Sequence, residues 1–281
     1  MTNAIEVQNV TKKYDGFVLD DIHFTLPRGC IMGLVGENGA GKSTTIKLIL
    51  GLIKGDAGKA LVLGADAQNN VSIREDIGVV LDSAIGIPPS LSVKQVEKIL
   101  KNIYKNWDSD AFRGYLTRFS IPEKRRFSEL SRGMKMKLEI AIALSHGAKL
   151  LILDEATSGL DPVVRDEILD IFMDFTREED HSILISSHIV SDLEKVCDYI
   201  AFLHEGKLVL CEEKDALCER YGMIHCTPEA YLDIDEKAVL GKKQTPYGIE
   251  AIVDRALIPH DMETEKVNLE DIFVYMIRRK V

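Results

Sequence analysis

The chain has 281 residues, of which 46% are hydrophobic and 28% are charged. This balance is typical of globular proteins and excludes disordered, collagen-like and low-complexity chains, and the length suits one large domain or two small ones. With 35 basic and 45 acidic residues the net charge is −10, so the chain has no overall field to attract nucleic acid or an anionic membrane surface.

Membrane segments and metal-binding cysteines are also not indicated. Residues 1–16 contain no long apolar core and do not resemble a signal peptide, and no apolar run approaches the roughly 18 residues that span a bilayer. The five cysteines form no C-x-x-C pair, which indicates reduced thiols rather than a zinc site. The sequence therefore predicts a soluble, cytoplasmic protein.

The first elements along the chain are two strands and a helix. Ile22, Phe24 and Leu26 recur at period two, as in a half-buried strand. The apolar run 30–35 then leads through a glycine-rich loop into a helix at 43–50. Further unalternating apolar runs, typical of strands buried on both faces, occur at 77–81, 150–153 and 183–185. The pattern predicts an α/β fold with a parallel sheet covered by helices.

The glycine-rich loop carries the most specific motif. It fits G-x-x-x-x-G-K-[ST] between a predicted buried strand and a predicted helix, the context of a phosphate-binding loop. Glycines let backbone N–H groups approach a triphosphate, and the following helix adds its positive N-terminal end. We expect Lys42 to reach the β- and γ-phosphates and the Ser43 hydroxyl to bind Mg²⁺. The motif consists of Gly36, Glu37, Asn38, Gly39, Ala40, Gly41, Lys42, Ser43 and Thr44.

Between about residues 83 and 130 the spacing of apolar residues becomes helical, which predicts an inserted helical region. The residues at this spacing are Val96, Ile99, Leu100 and Ile103 in a first segment, and Phe112, Tyr115, Leu116 and Phe119 in a second.

Ser131 precedes a helix that is apolar almost all round and is expected to be buried as far as His146. Taken alone, Ser131 is interpreted as an N-cap. A Ser-x-Gly sequence at a helix N-terminus, here Ser131 and Gly133, is also typical of an anion site. The residues alone leave both interpretations open, and the second would give the chain two half-sites for phosphate.

Two predicted strands end in groups that can act on a phosphate. The run 150–153 is followed by Asp154 and Glu155, at the sheet edge where ligands of open α/β sheets bind. We expect Asp154 to hold Mg²⁺ and Glu155 to polarise the water that attacks the γ-phosphate. His188 follows the strand at 183–185 and would reach the same edge. Without the phosphate loop, a strand ending in solvent and a surface histidine would explain these residues equally well.

The last part of the chain predicts a hairpin of segments 199–204 and 207–210 around Glu205 and Gly206, followed by a polar tail to Val281.

Together these motifs resemble the ATP-binding subunit of an ABC transporter, with order and spacing matched over about residues 5–210. Tyr14 matches the aromatic residue that the family stacks on adenine, and His188 matches its switch histidine. The tail more loosely resembles the C-terminal extension of exporter-type (ABC-2) members, most clearly at 268–273. In the family's terms the segments are Walker A (36–44), the signature motif (130–134), Walker B (150–155) and the D-loop (158–161, ending in Asp161).

The resemblance implies a P-loop NTPase (RecA-like) fold in which a parallel-sheet core carries an antiparallel β subdomain and the inserted α-helical subdomain. It divides the chain into an ATP-binding domain at 1–211 and a small extension at 212–281. It also implies a head-to-tail homo- or heterodimer with Mg²⁺ and ATP between the subunits, each nucleotide meeting Walker A of one chain and Ser131 and Gly133 of the other. A separate integral-membrane permease would dock on the helical insertion, which places the chain at the inner face of the cell membrane.

Three positions depart from the family pattern. Asp82 stands where the family has a glutamine that contacts the metal, so we expect a charged metal ligand there. Arg132 replaces the first glycine of the signature motif, and Ala156 replaces a common proline. With Lys42 and the two carboxylates intact, these departures resemble a small bacterial subgroup of ABC-2 exporters.

Rival classes of phosphate-loop protein fit less well. A GTPase needs Asn-Lys-x-Asp, and no Asn-Lys pair occurs. Chromosome-maintenance ATPases separate their two motifs by long heptad repeats, which are absent here, and ABC proteins of translation carry two cassettes. A nucleotide-dependent regulatory subunit with little turnover stays open as an alternative, supported by Asp82 and Arg132. The transported substrate is not encoded in this chain.

Overall fold

The computed structural model describes residues 3–81, 86–259 and 262–278. The strands in chain order are β1 Ile5–Tyr14, β2 Phe17–Leu26, β3 Ile31–Val35, β4 Ala57–Val62, β5 Ala65–Asp66, β6 Ile77–Val80, β7 Leu150–Asp154, β8 Ser182–Ser187, β9 Tyr199–His204, β10 Lys207–Glu213, β11 Tyr221–Cys226, β12 Val239–Thr245 and β13 Gly248–Asp254. The α-helices are α1 Lys42–Ile49, α2 Val93–Ile103, α3 Ser109–Arg118, α4 Arg132–Leu144, α5 Pro162–Phe175, α6 Val190–Val196, α7 Lys214–Arg220, α8 Pro228–Tyr231 and α9 Leu269–Arg278.

A six-stranded sheet forms the centre of the molecule, in the order β10-β9-β3-β8-β7-β6. The pairs β9–β3, β3–β8, β8–β7 and β7–β6 are parallel, and β10 lies antiparallel to β9. Every residue of β3, β7 and β8 is buried, as expected for strands covered on both faces. The parallel sheet predicted from the apolar runs is confirmed, and the carboxyl ends of β3, β7 and β8 meet at one edge.

A four-stranded antiparallel sheet, β2-β1-β4-β5, covers one face of the central sheet. In β2 the predicted alternation is confirmed, since Ile22, Phe24 and Leu26 are buried and the intervening His23 and Thr25 are exposed. These side chains share a core with α1 and with residues of β3, β7 and β8. The opposite face of the central sheet is covered mainly by α3, α4, α5 and α6.

The helical region between the sheet strands contains α2 and α3. Ser92 and Gln95 form a capping box at the start of α2, and Asp108 caps α3, so both starts are fixed by local sequence. Phe112 and Leu116 are fully or almost fully buried. On α2, however, the predicted stripe is only partly covered, since Val96 is buried while Ile99 and Ile103 are 45% and 61% exposed. An apolar strip of α2 therefore faces outward.

The tail predicted to be polar is a folded unit with its own sheet, β11-β13-β12. Ala251, Ile252 and Val253 are fully buried, and α9 packs back onto the main core, where the ring of Phe273 stacks on Phe202 of β9 at a centroid distance of 4.6 Å. The expected boundary between residues 211 and 212 falls inside β10. Among the described residues no helix is both long enough and apolar enough to cross a bilayer.

Candidate nucleotide-binding site

The loop from Gly36 to Gly41 joins the end of β3 to α1 and is shaped by glycines. Gly39 and Gly41 have φ values of 86° and 111°, in the left-handed region that favours glycine. A Cβ atom on Gly41 would lie 2.7 Å from Leu19 Cδ1, and one on Gly36 would lie 2.4 Å from the Leu203 carbonyl oxygen. The first N–H groups of α1 have no carbonyl within the helix to donate to, so the loop presents them to an anion.

The turn between β9 and β10 fastens this loop to the antiparallel sheet. The Gly206 N–H donates to the Ala40 carbonyl at 3.1 Å, and the Gly206 carbonyl accepts from the Asp20 N–H at 2.8 Å. A Cβ atom on Gly206, where φ is 76°, would lie 1.9 Å from the Val18 carbonyl oxygen. The sequence predicts this turn as a hairpin only, because nothing local to it indicates that it holds the phosphate loop.

Two cavities flank the loop. The larger, of about 600 Å³, lies between the loop, the start of β2 and the Glu205 turn. The second, of about 510 Å³, runs along Lys42, Ser43 and Thr44 to Glu155. Phe17 lines both cavities, so its ring stands where the two spaces meet. Phe17 is not among the residues predicted from the sequence, although its place three residues after Tyr14 on the same hairpin is a usable signal.

Glu155 joins the phosphate loop to the end of β8. One carboxylate oxygen, Oε1, lies 3.4 Å from the Lys42 ammonium, and the other, Oε2, lies 2.6 Å from Nδ1 of His188. Since an ionised carboxylate only accepts hydrogen bonds, Nδ1 carries the proton and donates it. Lys42 is itself buried and donates to the carbonyls of Gly36 and Glu37 at 2.7 and 3.3 Å. Three groups predicted from separate motifs are thus in direct contact.

Ser186 contacts both acidic residues at the end of β7. Its hydroxyl donates to Asp154 Oδ1 at 2.6 Å and accepts from the Glu155 N–H at 3.1 Å. The backbone of Glu155 is left-handed, with φ at 56°, a conformation that a non-glycine residue keeps only when its surroundings hold it. Ser186 and Asp154 are both buried. The sequence alone does not point to Ser186, because its contact follows from the register in which Asp154 pairs with Ser186 across β7 and β8.

The oxygen groups at the loop fit a small divalent cation. Mg²⁺ is held in proteins by one or two carboxylates together with substrate phosphates, rather than by a full protein cage. Asp154 supplies a buried carboxylate and Ser43 an exposed hydroxyl at the start of α1. The described residues contain no group of three or more His, Cys, Asp or Glu that would hold a metal by itself.

Comparisons with known proteins agree with this geometry. The family model for ABC transporters matches residues 19–158. The ABC transporter ATP-binding protein YtrB of Bacillus subtilis (strain 168) is 31% identical over 96% of this chain and 97% of its own length. This chain belongs to the ATP-binding subunits of ABC transporters. It is therefore an ATP-binding and ATP-hydrolysing subunit of a transport system.

Two further relatives are similar to the cassette. The Nod factor export ATP-binding protein I of Rhizobium leguminosarum bv. viciae is 33% identical over 77% of the chain and 71% of its own length. A solved structure of the ATP binding subunit of an ABC transporter is 26% identical, with a TM-score of 0.68 over 78% of this chain and 92% of that one. The predicted fold class, a P-loop NTPase with a parallel sheet and an antiparallel subdomain, is confirmed.

Tyr14, the predicted adenine contact, lies outside the two cavities. Tyr14 is 45% exposed at the end of β1, with the Lys12 ammonium 5.7 Å from its ring centroid, and neither cavity lining includes it. Its contact with adenine stays a prediction. Asp82, the expected extra metal ligand, lies outside the described residues.

The signature motif and the D-loop lie beside each other within the chain. Ser131 caps α4 by accepting from the Met134 N–H at 3.3 Å, and Asp161 caps α5 by accepting from the Val164 N–H at 3.1 Å. The guanidinium of Arg132 packs over Gly159. It lies about 3.3 Å from the position that a Cβ atom on Gly159 would occupy. The cavity linings contain neither Ser131 nor Gly133. The capping role of Ser131 is observed, and its role as an anion site stays a prediction.

Proposed function

We propose that the phosphate loop of this cassette holds the triphosphate of ATP and that Glu155 activates the attacking water. Residues 36–44 provide the N–H groups, and Lys42 pairs with the β- and γ-phosphates. Ser43 and Asp154, together with Asp82, would hold Mg²⁺, which neutralises charge on the phosphates when bound. Of these residues, Lys42, Ser43 and Glu155 line the smaller cavity.

The observation that carries this proposal is the position of Glu155. Its Oε1 atom is buried, accepts no hydrogen bond among the described residues, and lies 3.4 Å from Lys42 Nζ. Because Oε1 is paired with Lys42 and accepts no hydrogen bond from any described residue, a phosphate that pairs with Lys42 would leave this oxygen to accept a proton from the attacking water. His188 donates to the other oxygen, so it orients the carboxylate and stabilises its charge.

We further propose that two copies of the fold, identical or not, close on ATP. Ser131 is exposed and Gly133 partly exposed, and neither lines the two cavities at the phosphate loop, which supports a contact with the nucleotide of a second subunit. Asp161, in the adjacent D-loop, would lie in the same interface. Under this proposal residues 1–211 are the ATP-hydrolysing domain and residues 212–281 a docked extension.

The partner in the membrane is proposed from the helical region. Ile99 and Ile103 form an exposed apolar strip on α2, and an apolar cavity of about 340 Å³ lies beside it, lined by residues that include Leu81, Leu100 and Tyr104. Desolvation of such a surface favours an apolar partner. We propose that a separate permease docks here, holding the cassette at the inner face of the membrane. The Nod factor relative supports export as the direction of transport.

Dimer closure is tested with purified protein by light scattering after size exclusion. We expect Glu155→Gln to be a dimer with ATP and Mg²⁺ and a monomer without them, and Lys42→Ala to stay monomeric in both. A Glu155→Gln protein that stays monomeric with ATP would contradict the proposed assembly.

The docking surface is tested by membrane fractionation of cells that make the cassette with its own transporter partners. We expect Ile99→Asp/Ile103→Asp to lose membrane association. Lys98→Asp/Asn102→Asp changes charge at two exposed positions of the same helix and is expected to stay on the membrane. Equal behaviour of the two double variants would contradict the docking site.

A further inference from the structure

Arg165, near the start of α5, contacts two elements beside the nucleotide site. One of its terminal N–H groups (Nη2) donates to the carbonyl of Leu160, in the D-loop, at 3.3 Å. Its Nε lies 3.7 Å from Oδ2 of Asp192. Asp192 belongs to the first turn of α6, the helix that begins two residues after His188. A single guanidinium thus bridges the D-loop and the helix that follows the switch histidine.

The pair formed by Arg165 and Asp192 is poorly suited to a purely stabilising role. Asp192 is 4% exposed, and its Oδ2 and the Nε of Arg165 are both buried without a hydrogen bond among the described residues. Taking a charge out of water carries a desolvation cost that only close, hydrogen-bonded geometry offsets. A pair held at 3.7 Å does not meet that condition. Buried polar groups without a hydrogen-bond partner are rare in folded proteins, so we expect this pair to have a role other than stabilisation.

We propose that Arg165 and Asp192 are positioning residues that fix the D-loop relative to His188, and through His188 to Glu155. The connection runs from the Leu160 carbonyl through the guanidinium to Asp192, then along the start of α6 to His188, whose Nδ1 contacts Glu155 at 2.6 Å. The bridge keeps the carboxylate and the D-loop in one arrangement. The proposal rests on the role assigned to Glu155 above.

The same two helices carry a matched control. Asp166 on α5 and Lys195 on α6 form an ion pair at 2.6 Å, with side chains 61% and 63% exposed. This control pair joins α5 to α6 as the Arg165 pair does, but on the solvent side of the helices. Removing this control pair tests whether the loss of any ion pair between α5 and α6 is enough to lower ATP turnover.

The experiment measures kcat and KM for ATP in Arg165→Met, Asp192→Asn and their double variant, beside Asp166→Asn/Lys195→Gln, together with thermal midpoints. We expect each single variant to lower kcat about tenfold or more with KM within about twofold, because misplacement of catalytic groups acts on turnover. The double variant should be no slower than the slower single variant, since both changes break one bridge. The control variant should retain the wild-type kcat.

Arg165→Lys is a more conservative variant, to be used if Arg165→Met or Asp192→Asn prevents folding. Lysine keeps the charge beside Asp192 but lacks the planar fork that reaches two partners at once, so we expect the same loss of kcat. Unchanged kcat in folded Arg165 and Asp192 variants, additive losses in the double variant, or an equal loss in the control would overturn the proposal. A wild-type protein that does not hydrolyse ATP, or a Glu155→Gln variant that hydrolyses ATP at the wild-type rate, would instead refute the proposed function.

Discussion

Lys42 Nζ lies 3.4 Å from Oε1 of Glu155, so the carboxylate stands beside the ammonium that is to pair with the phosphates of ATP. The ammonium is also held by the Gly36 and Glu37 carbonyls, and therefore it does not need to be ordered when nucleotide arrives. Preorganised charge of this kind stabilises a transition state without further rearrangement.

His188 is expected to act through Glu155. His188→Ala removes the donor that lies 2.6 Å from Oε2, and we expect kcat to fall about a hundredfold, with KM for ATP changed much less, because the carboxylate loses its orientation and part of its charge stabilisation. Steady-state ATPase assays measure both constants. His23→Ala, an exposed histidine on β2, serves as the control. A His188→Ala protein with wild-type kcat would refute this role.

Ser186 is expected to set the metal dependence. Ser186→Ala removes the hydroxyl that donates to Asp154 and accepts from the Glu155 N–H. Hydrogen bonds to charged groups contribute about 1.5–3 kcal/mol, so the Mg²⁺ concentration for half-maximal hydrolysis should rise about tenfold or more. Ser182→Ala is the matched control, since Ser182 is fully buried at the other end of the same strand. Equal Mg²⁺ titrations for the two variants would contradict the prediction.

The aromatic residues near the loop are expected to contribute unequally to nucleotide affinity. Phe17 lines both cavities, whereas Tyr14 lines neither. Stacking of a base on an aromatic ring contributes about 1–3 kcal/mol, so Phe17→Ala should weaken ADP binding about tenfold and Tyr14→Ala clearly less. Calorimetric titration gives both affinities. Weaker binding in Tyr14→Ala than in Phe17→Ala would restore Tyr14 as the main base contact.

The central strands and the phosphate loop are predictable from local sequence. The apolar runs before Gly36 and Asp154 define strands buried on both faces, and the glycine spacing of the phosphate loop fixes its backbone. Contacts that depend on strand register are not encoded locally. The hydroxyl of Ser186 meets Asp154 only because β7 and β8 pair in that register, and Gly206 meets Ala40 only after the sheets have packed.

The structure of the extension is also only partly predictable from its local sequence. Its polar composition does not indicate a sheet, yet the central strand β13 is buried at residues 251–254. The apolar residues of α9 pack partly on β12 and β13 of the extension and partly on the main core, so a pattern confined to the tail does not reveal all of their contacts. This explains why the tail is predicted as a polar segment.

Docking of the extension is expected to depend on Phe273. Phe273 is 4% exposed and stacks on Phe202, and truncation of a buried phenylalanine costs about 3–5 kcal/mol. Phe273→Ala should lower the free energy of unfolding by that amount in urea titrations. Val274→Ala, at the neighbouring position that is 40% exposed, should change it by less than about 1 kcal/mol. Equal stabilities of the two variants would show that α9 is not docked as described.

The most direct measurement of the central claim compares ATP turnover and ATP affinity in wild type and Glu155→Gln. The amide keeps the shape of the side chain but cannot accept the proton of the attacking water, so we expect turnover to fall by about 10²–10⁴. Affinity should be retained or increased, because Lys42 loses a competing carboxylate. Turnover of the variant equal to that of wild type, with ATP bound in both, would contradict the assignment of Glu155 as the group that activates water.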